Sequence, residues 1–196
     1  AIADIIVNVS QLITDFPEIS EMDLNPVFAT KANAIAADVR IVVDFAPPPP
    51  RPRPNHDDIV RQMNRIMKPK AVAVIGASAE NGKIGNSVMK NLINGGYKGE
   101  IYPIHPKADE IMGKKVYKSV KDVPGEIDIA VFAIPANFGA AALTECGEKK
   151  IVGAILIPSG YAETGNMKGQ EEIQAIGQKY GIRLMGPNIY GFYYTP

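Results

Sequence analysis

AVAVIGASAENGKIG, Ala71 to Gly85, reads as a strand that ends in glycine and runs through small residues into the start of a helix. AVAVI is apolar at every position, the pattern of a strand covered on both faces. Gly76 permits a sharp turn at its end, and Gly82 and Gly85 let backbone come close to an anion and to the strand. A junction of this kind offers backbone N–H groups and the positive end of a helix dipole to a phosphate. Gly76, Ala77, Ser78, Lys83, Ile84 and Gly85 are therefore candidate contacts. The spacing is neither G-x-G-x-x-G nor G-x-x-x-x-G-K-[ST], since Ile84 follows Lys83. A tight turn that binds nothing fits the same residues.

Working toward the C-terminus, apolar runs alternate with helical patterns. Strands are expected at Ala71–Ile75, Ile101–Ile104, Ile127–Ile134, Gly153–Ile157 and Ile182–Met185, and helices at Lys83–Asn94, Asn137–Lys149 and Gly169–Tyr180. Strand, helix, strand repeated this way predicts an α/β fold, a Rossmann-like doubly wound parallel sheet with right-handed crossovers. Ligands in such sheets lie outside the carboxyl ends of the strands. That edge collects Pro103 and Lys107 from IYPIHPK, Ile134 and Pro135 from FAIPANF, Ser159 and Gly160 from IPSGYAE, and Asn188 from MGPNIYG.

The end of the second strand discriminates between ligands. An NAD site usually carries an acid there for the ribose hydroxyls. Here His105 and Lys107 stand in that place, with no acid before Asp109. A cation suits a phosphate on the ribose, as in coenzyme A or NADP. His105 is read as a turn residue or ligand contact, and neither it nor His56 as a catalyst.

Working toward the N-terminus, PPPPRPRP, Pro47 to Pro54, supplies neither a central strand nor a helix interior. At ~3.1 Å per residue it makes an extended spacer of about 25 Å; a docking segment for a proline-binding domain is the alternative. The reading divides the chain into residues 1–46, a linker at 47–56, and a domain at 57–196 that opens with an amphipathic lead-in, Asp57 to Met67. In the first piece Ile2, Ile5, Ile6, Val9, Leu12 and Ile13 recur at helical spacing until Pro17. Extended segments follow at Ile19–Phe28 and Ala34–Val43, with a turn near Lys31–Asn33. One helix and one hairpin bury little surface, so this α+β piece reads as the end of a larger domain or as one that packs on another chain. If the hairpin turns at Lys31 and Ala32, residues whose numbers sum to 63 lie opposite one another, and Asn25 faces Asp38. An amide oxygen and a carboxylate suit Mg²⁺, although on spacing alone a polar cross-strand pair is the better reading.

Lys plus Arg and Asp plus Glu each total 21, so no broad basic footprint for nucleic acid exists. No apolar run reaches the roughly 18 residues of a membrane span, and no secretory signal opens the chain. The sole cysteine, Cys146, excludes an intrachain disulfide framework and fits a reducing cytoplasm. It reads as structural. Ala1 in place of an initiating Met suggests a piece of a longer polypeptide.

GASAENGKIG, IYPIHPK, GKKVYKSVKDVP, AIPANF, IPSGYAE and GPNIYG follow in the order found in the coenzyme A-binding domain of NDP-forming acyl-CoA synthetases, relatives of the succinyl-CoA synthetase α subunit. The resemblance covers Met67 to Gly191. EMDLNPVFATKANAIAADVRI resembles the last hairpin of that family's ATP-grasp domain, where an Asn-Pro asparagine and a following aspartate bind the nucleotide's Mg²⁺. It thereby implies metal roles for Asn25 and Asp38. It also implies a parent ligase that interconverts acyl-CoA, ADP and phosphate with a small acid, ATP and coenzyme A through a phosphohistidine in a further domain. The remaining ATP-grasp and ligase domains or subunits would be its partners, in an oligomeric assembly. The chain departs from the family at His105-Pro106-Lys107, usually Asn-Pro-Lys, and at Ile189, usually Cys. Two other readings stay open: a non-catalytic coenzyme A-sensing module, and an NADP-binding oxidoreductase domain.

Overall fold

In the computed structural model the described residues are 2–30, 33–45 and 55–191. The turn expected at Lys31 and Ala32 and the spacer expected at Pro47–Pro54 lie outside them. The chain divides into two units, Ala1–Arg53 and Pro54–Pro196.

The first unit holds helix α1 (Ile2–Asp15) and strands β1 (Ile19–Leu24), β2 (Val27–Ala29), β3 (Ala34–Ala36) and β4 (Val39–Val43). β1 pairs with β4 and β2 with β3, both antiparallel. Leu24 opposes Val39 and Val27 opposes Ala36, so both short ladders keep one register until an irregularity near Ile19. The ladders are separated at the cis Asn25–Pro26 bond. There the Asn25 N–H donates to the Asp38 carbonyl at 3.2 Å, and the Ala37 N–H to the Pro26 carbonyl at 3.0 Å. Proline has no N–H to continue the pairing. No described residue of this unit is buried, and Ile6, Phe28 and Ile35 are all more than half exposed.

The second unit opens with α2 (His56–Met67), whose first turn is capped by Asn55 Oδ1 accepting from the Asp57 N–H at 3.0 Å. His56 is thus the first residue of a helix. Next come β5 (Ala71–Ile75), α3 (Ile84–Asn94), β6 (Glu100–Ile104), a small hairpin of β7 (Glu110–Ile111) and β8 (Lys114–Lys115), β9 (Ile129–Phe132), α4 (Gly139–Glu148), β10 (Gly153–Leu156), α5 (Met167–Tyr180) and β11 (Arg183–Met185). β11, β10, β9, β5 and β6 form one five-stranded sheet in that order, with every pairing parallel. The doubly wound architecture expected from the alternation is therefore present.

β5, β9 and β10 are buried along their whole length, as their unbroken apolar runs require. One face packs Phe132, Leu143, Cys146, Leu156 and Ile173, bringing in α4 and α5. The other packs Ile66, Val72, Val74, Met89 and Val131, bringing in α2 and α3. At the amino end of the sheet Asp128, 8% exposed, ties α2 to the strands. Its Oδ1 accepts from Arg65 Nε at 2.8 Å, and its Oδ2 from the Lys70 and Ala71 N–H groups at 2.7 and 3.3 Å. This knot explains why β9 begins at Ile129 although Ile127 is also buried. β9 ends at Phe132, short of the expected Ile134, and a 3-10 turn at Ala136–Phe138 precedes α4.

Candidate nucleotide cleft

β5 is flanked by β6 on one side and β9 on the other, so the chain reverses its winding direction at β5. The carboxyl ends of β5 and β9 splay apart at such a switch point and leave a crevice. A cleft of about 1110 Å³ lies there. Gly76, Ala77, Ser78, Lys83, Ile84 and Gly85 line it from the first loop, Ile134 and Pro135 from the loop after β9, Ser159 from that after β10, and Asn188 from that after β11.

The glycine loop is held by close packing. Gly76 has φ +84°, and a Cβ there would stand 2.6 Å from the Ala133 carbonyl oxygen. A Cβ on Gly85 would stand 1.9 Å from the Gly76 oxygen, so only glycine lets the start of α3 sit on the turn. The Gly76 and Ala77 N–H groups both donate to the Ile104 carbonyl, at 3.0 and 3.3 Å, and serve the fold. No side chain caps α3; the Asn86 N–H turns back to the Lys83 carbonyl at 3.1 Å, and the Ile84 and Gly85 N–H groups ahead of it are left for an anion. Ser78 Oγ accepts from the Glu80 N–H at 3.0 Å. Asn86, 2% exposed, donates through Nδ2 to the Ser78 carbonyl at 3.1 Å and pins the loop from below.

His105 follows the last residue of β6 and lines the cleft. Its Nδ1 accepts from the Lys107 and Ala108 N–H groups at 3.2 and 3.1 Å, which puts the ring proton on Nε2. An asparagine oxygen at the same place would make the same turn, so histidine substitutes here without loss of the acceptor. Lys107 is exposed and lies outside the cleft lining, whereas Lys118 lines it. Lys118 Nζ donates to the Ala108 carbonyl at 2.8 Å and to Asp109 Oδ1 at 3.2 Å. Pro103 is buried within β6, its carbonyl accepting from the Tyr117 N–H at 3.0 Å. Gly160 also stands off the lining, with φ +114° and its N–H donating to Glu163 Oε1 at 2.6 Å. Asn188, at φ +57°, follows a cis Gly186–Pro187 bond and donates its N–H to the Pro158 carbonyl at 3.0 Å, which joins the last two loops.

The charge in the cleft is mixed. Lys83 and Lys118 line it together with Glu80 and Glu145, and Ser119 Oγ donates to Glu145 Oε2 at 2.6 Å. Burial, with Glu145 second, pushes the Cys146 thiol far up and keeps it out of chemistry. Lys118, Glu145 and Asn86 were not marked by sequence spacing. Asn25 and Asp38 belong to the other unit, their backbones hydrogen-bonded across the hairpin. Among the described residues, no group of three or more His, Cys, Asp and Glu is arranged to hold a metal. Two hard oxygen donors nevertheless fit Mg²⁺, which completes its shell with phosphates and water.

Residues 70–195 match the CoA binding domain family, and residues 1–43 match an ATP-grasp domain family. An ADP-forming acetate–CoA ligase II of Archaeoglobus fulgidus is 38% identical over 193 residues, which are 97% of this chain and 28% of that protein. The α subunit of the ADP-forming acetate–CoA ligase I of Pyrococcus furiosus is 47% identical over 140 residues, 68% of this chain and 30% of the subunit. Its β subunit is 51% identical over 43 residues, 22% of this chain and 18% of the subunit. A solved dinucleotide-forming acetyl-coenzyme A synthetase 1 of Ca. Korarchaeum cryptofilum, in complex with phosphate and ADP, aligns with a TM-score of 0.66 at 42% identity, over 67% of this chain and 28% of that one. The chain therefore spans less than a third of each of these relatives. With a parallel sheet, a cleft at its switch point and a match running through all five strands, the chain belongs to the CoA-binding domain family and carries a piece of an ATP-grasp domain before it.

Proposed function

We propose that this chain is the coenzyme A-binding portion of an NDP-forming acyl-CoA synthetase. The parent enzyme would interconvert acyl-CoA, ADP and phosphate with a small acid, ATP and coenzyme A. The observation that carries the reading is the contact of Gly85 on Gly76, which seats an uncapped helix N-terminus on the cleft at the β5–β9 switch point. Pyrophosphate oxygens meet the first-turn N–H groups of α3, Ser78 and Lys83. The loops with Ile134, Pro135, Ser159 and Asn188 line the path of the pantetheine arm. Pro103 and Gly160 act by shaping the neighbouring backbone, and Lys107 adds positive charge at the rim.

The chemistry of the parent lies in domains that supply the acid site and the phosphohistidine, so this chain binds and orients coenzyme A. Asn25 and Asp38 would hold the Mg²⁺ of ATP or ADP once the rest of the ATP-grasp domain surrounds them. Partnership with those domains or subunits, in an oligomer, is supported by the first unit's exposed Phe28, Ile35 and Ile6. The sole, buried cysteine supports a cytoplasmic setting. Among the described residues no helix is long and apolar enough to cross a membrane.

Calorimetric titration of the chain with coenzyme A and with NADP tests the reading. Saturable binding of coenzyme A, with NADP weaker by at least tenfold, is the expected outcome. Binding of NADP alone would overturn it in favour of an oxidoreductase domain.

A further inference from the structure

We infer that Lys118 is the cation that reads the ribose phosphate of coenzyme A, an inference that rests on the coenzyme A reading above. In a sheet wound this way, the ribose of an adenine nucleotide lies against the end of the second strand. Here that strand is β6, and the residues lining the cleft beside its end are His105, Pro106 and Lys118. Coenzyme A differs from its dephospho form by one phosphate on that ribose. A lysine at this edge therefore meets the group that distinguishes the two.

Lys118 reaches the edge through pairing between residues far apart in sequence. Tyr117 forms a parallel bridge with Ile104, the last residue of β6. Its N–H donates to the Pro103 carbonyl at 3.0 Å and its carbonyl accepts from the His105 N–H at 3.0 Å. The next residue is thus held beside the end of the strand. Lys107, nearer in sequence, gives its backbone N–H to the His105 ring, and its side chain stays outside the cleft lining.

The ammonium is oriented before a ligand arrives. The Ala108 carbonyl at 2.8 Å and Asp109 Oδ1 at 3.2 Å accept from Nζ. An ammonium has three donors, so one remains for phosphate. The Asp109 side chain is 97% exposed, so its hold on Lys118 is weak. It also sets a like charge beside the incoming phosphate. Asp109 therefore opposes the phosphorylated ligand, while the Ala108 carbonyl keeps the lysine in place without charge.

The test is calorimetric titration of the full chain with coenzyme A and dephospho-coenzyme A, on the native protein and on the variants Lys118→Ala, Lys118→Arg, Lys107→Ala and Asp109→Asn. Lys118→Ala is expected to weaken coenzyme A on the order of tenfold and leave dephospho-coenzyme A unchanged, with Lys118→Arg restoring most of the loss. Asp109→Asn is expected to tighten coenzyme A alone. Lys107→Ala should weaken it by no more than about twofold, as a rim charge does. A Lys118→Ala protein that keeps the native preference for coenzyme A overturns the inference while leaving the domain's ligand intact. So does an equal loss for both ligands, which would mark a structural role. A native protein that binds neither ligand overturns the ligand reading and this inference together.

Discussion

Glu163 closes the loop after β10: its Oε1 accepts from the Gly160 N–H at 2.6 Å and the Tyr161 N–H at 3.3 Å. The Gly160 N–H, helped by the backbone N–H groups of Glu163 and Tyr161 and opposed by partial desolvation, holds this carboxyl below the ordinary carboxylate range. A group lowered on folding contributes stability above its unfolded pKa and loses it as pH falls through the folded one. Glu163→Gln should therefore lower Tm at neutral pH, and the deficit should shrink as pH drops below the carboxylate range. Thermal melts of the two proteins between neutral pH and pH ~3 check this. At this scale the glycines were legible from the strand-to-helix junction they mark, although the obstacle to a Cβ on Gly76 is the Ala133 carbonyl beyond β9, far away in sequence. Lys118 and Asn86 were not, since their places depend on a bridge to β6 and on burial beneath the loop. Lys107 was marked as a cation standing where an NAD site carries an acid; its backbone N–H completes the turn on His105, and it is absent from the cleft lining.

Helices α4 and α5 meet at a glycine. A Cβ on Gly147 would come within 2.2 Å of the Tyr180 ring, which packs against the core and carries the Lys179 ammonium 4.9 Å from its centroid. Gly147→Ala should cost about 1–3 kcal/mol as Tyr180 is forced aside, read as a lower midpoint in urea unfolding with the slope unchanged. Among elements with a long apolar period, β5, β10 and α3 were read to within one residue. The exceptions carry their causes. β9 is trimmed at one end by the Asp128 knot. The β7–β8 hairpin escaped because two-residue strands have no period, and its turn rests on Met112 at φ +51° and Gly113 at φ +73°.

At the scale of the whole molecule, the two units differ in how they cover apolar surface. The second has a core on both faces of its sheet, while the described residues of the first bury none of their side chains. Residues 1–53 expressed alone should therefore show no cooperative thermal transition by calorimetry, whereas the 196-residue chain shows one from its sheet domain. A sharp heat-absorption peak from the short piece would contradict this. The register of its hairpin was legible in the numbers alone, since setting the turn at Lys31 and Ala32 fixes which residues lie opposite each other, as Leu24 does Val39 and Val27 does Ala36. That these residues are a piece of an ATP-grasp domain was legible only through the likeness to that family.

The lone thiol of Cys146 sits fully shielded between α4 and the sheet. An alkylating reagent reaches it only when that layer parts from the strands, so the labelling rate is a clock for partial opening. Because the loops that line the cleft lie at the strand tips, the same clock run with coenzyme A present shows whether an addition at one edge quiets breathing in the middle of the domain.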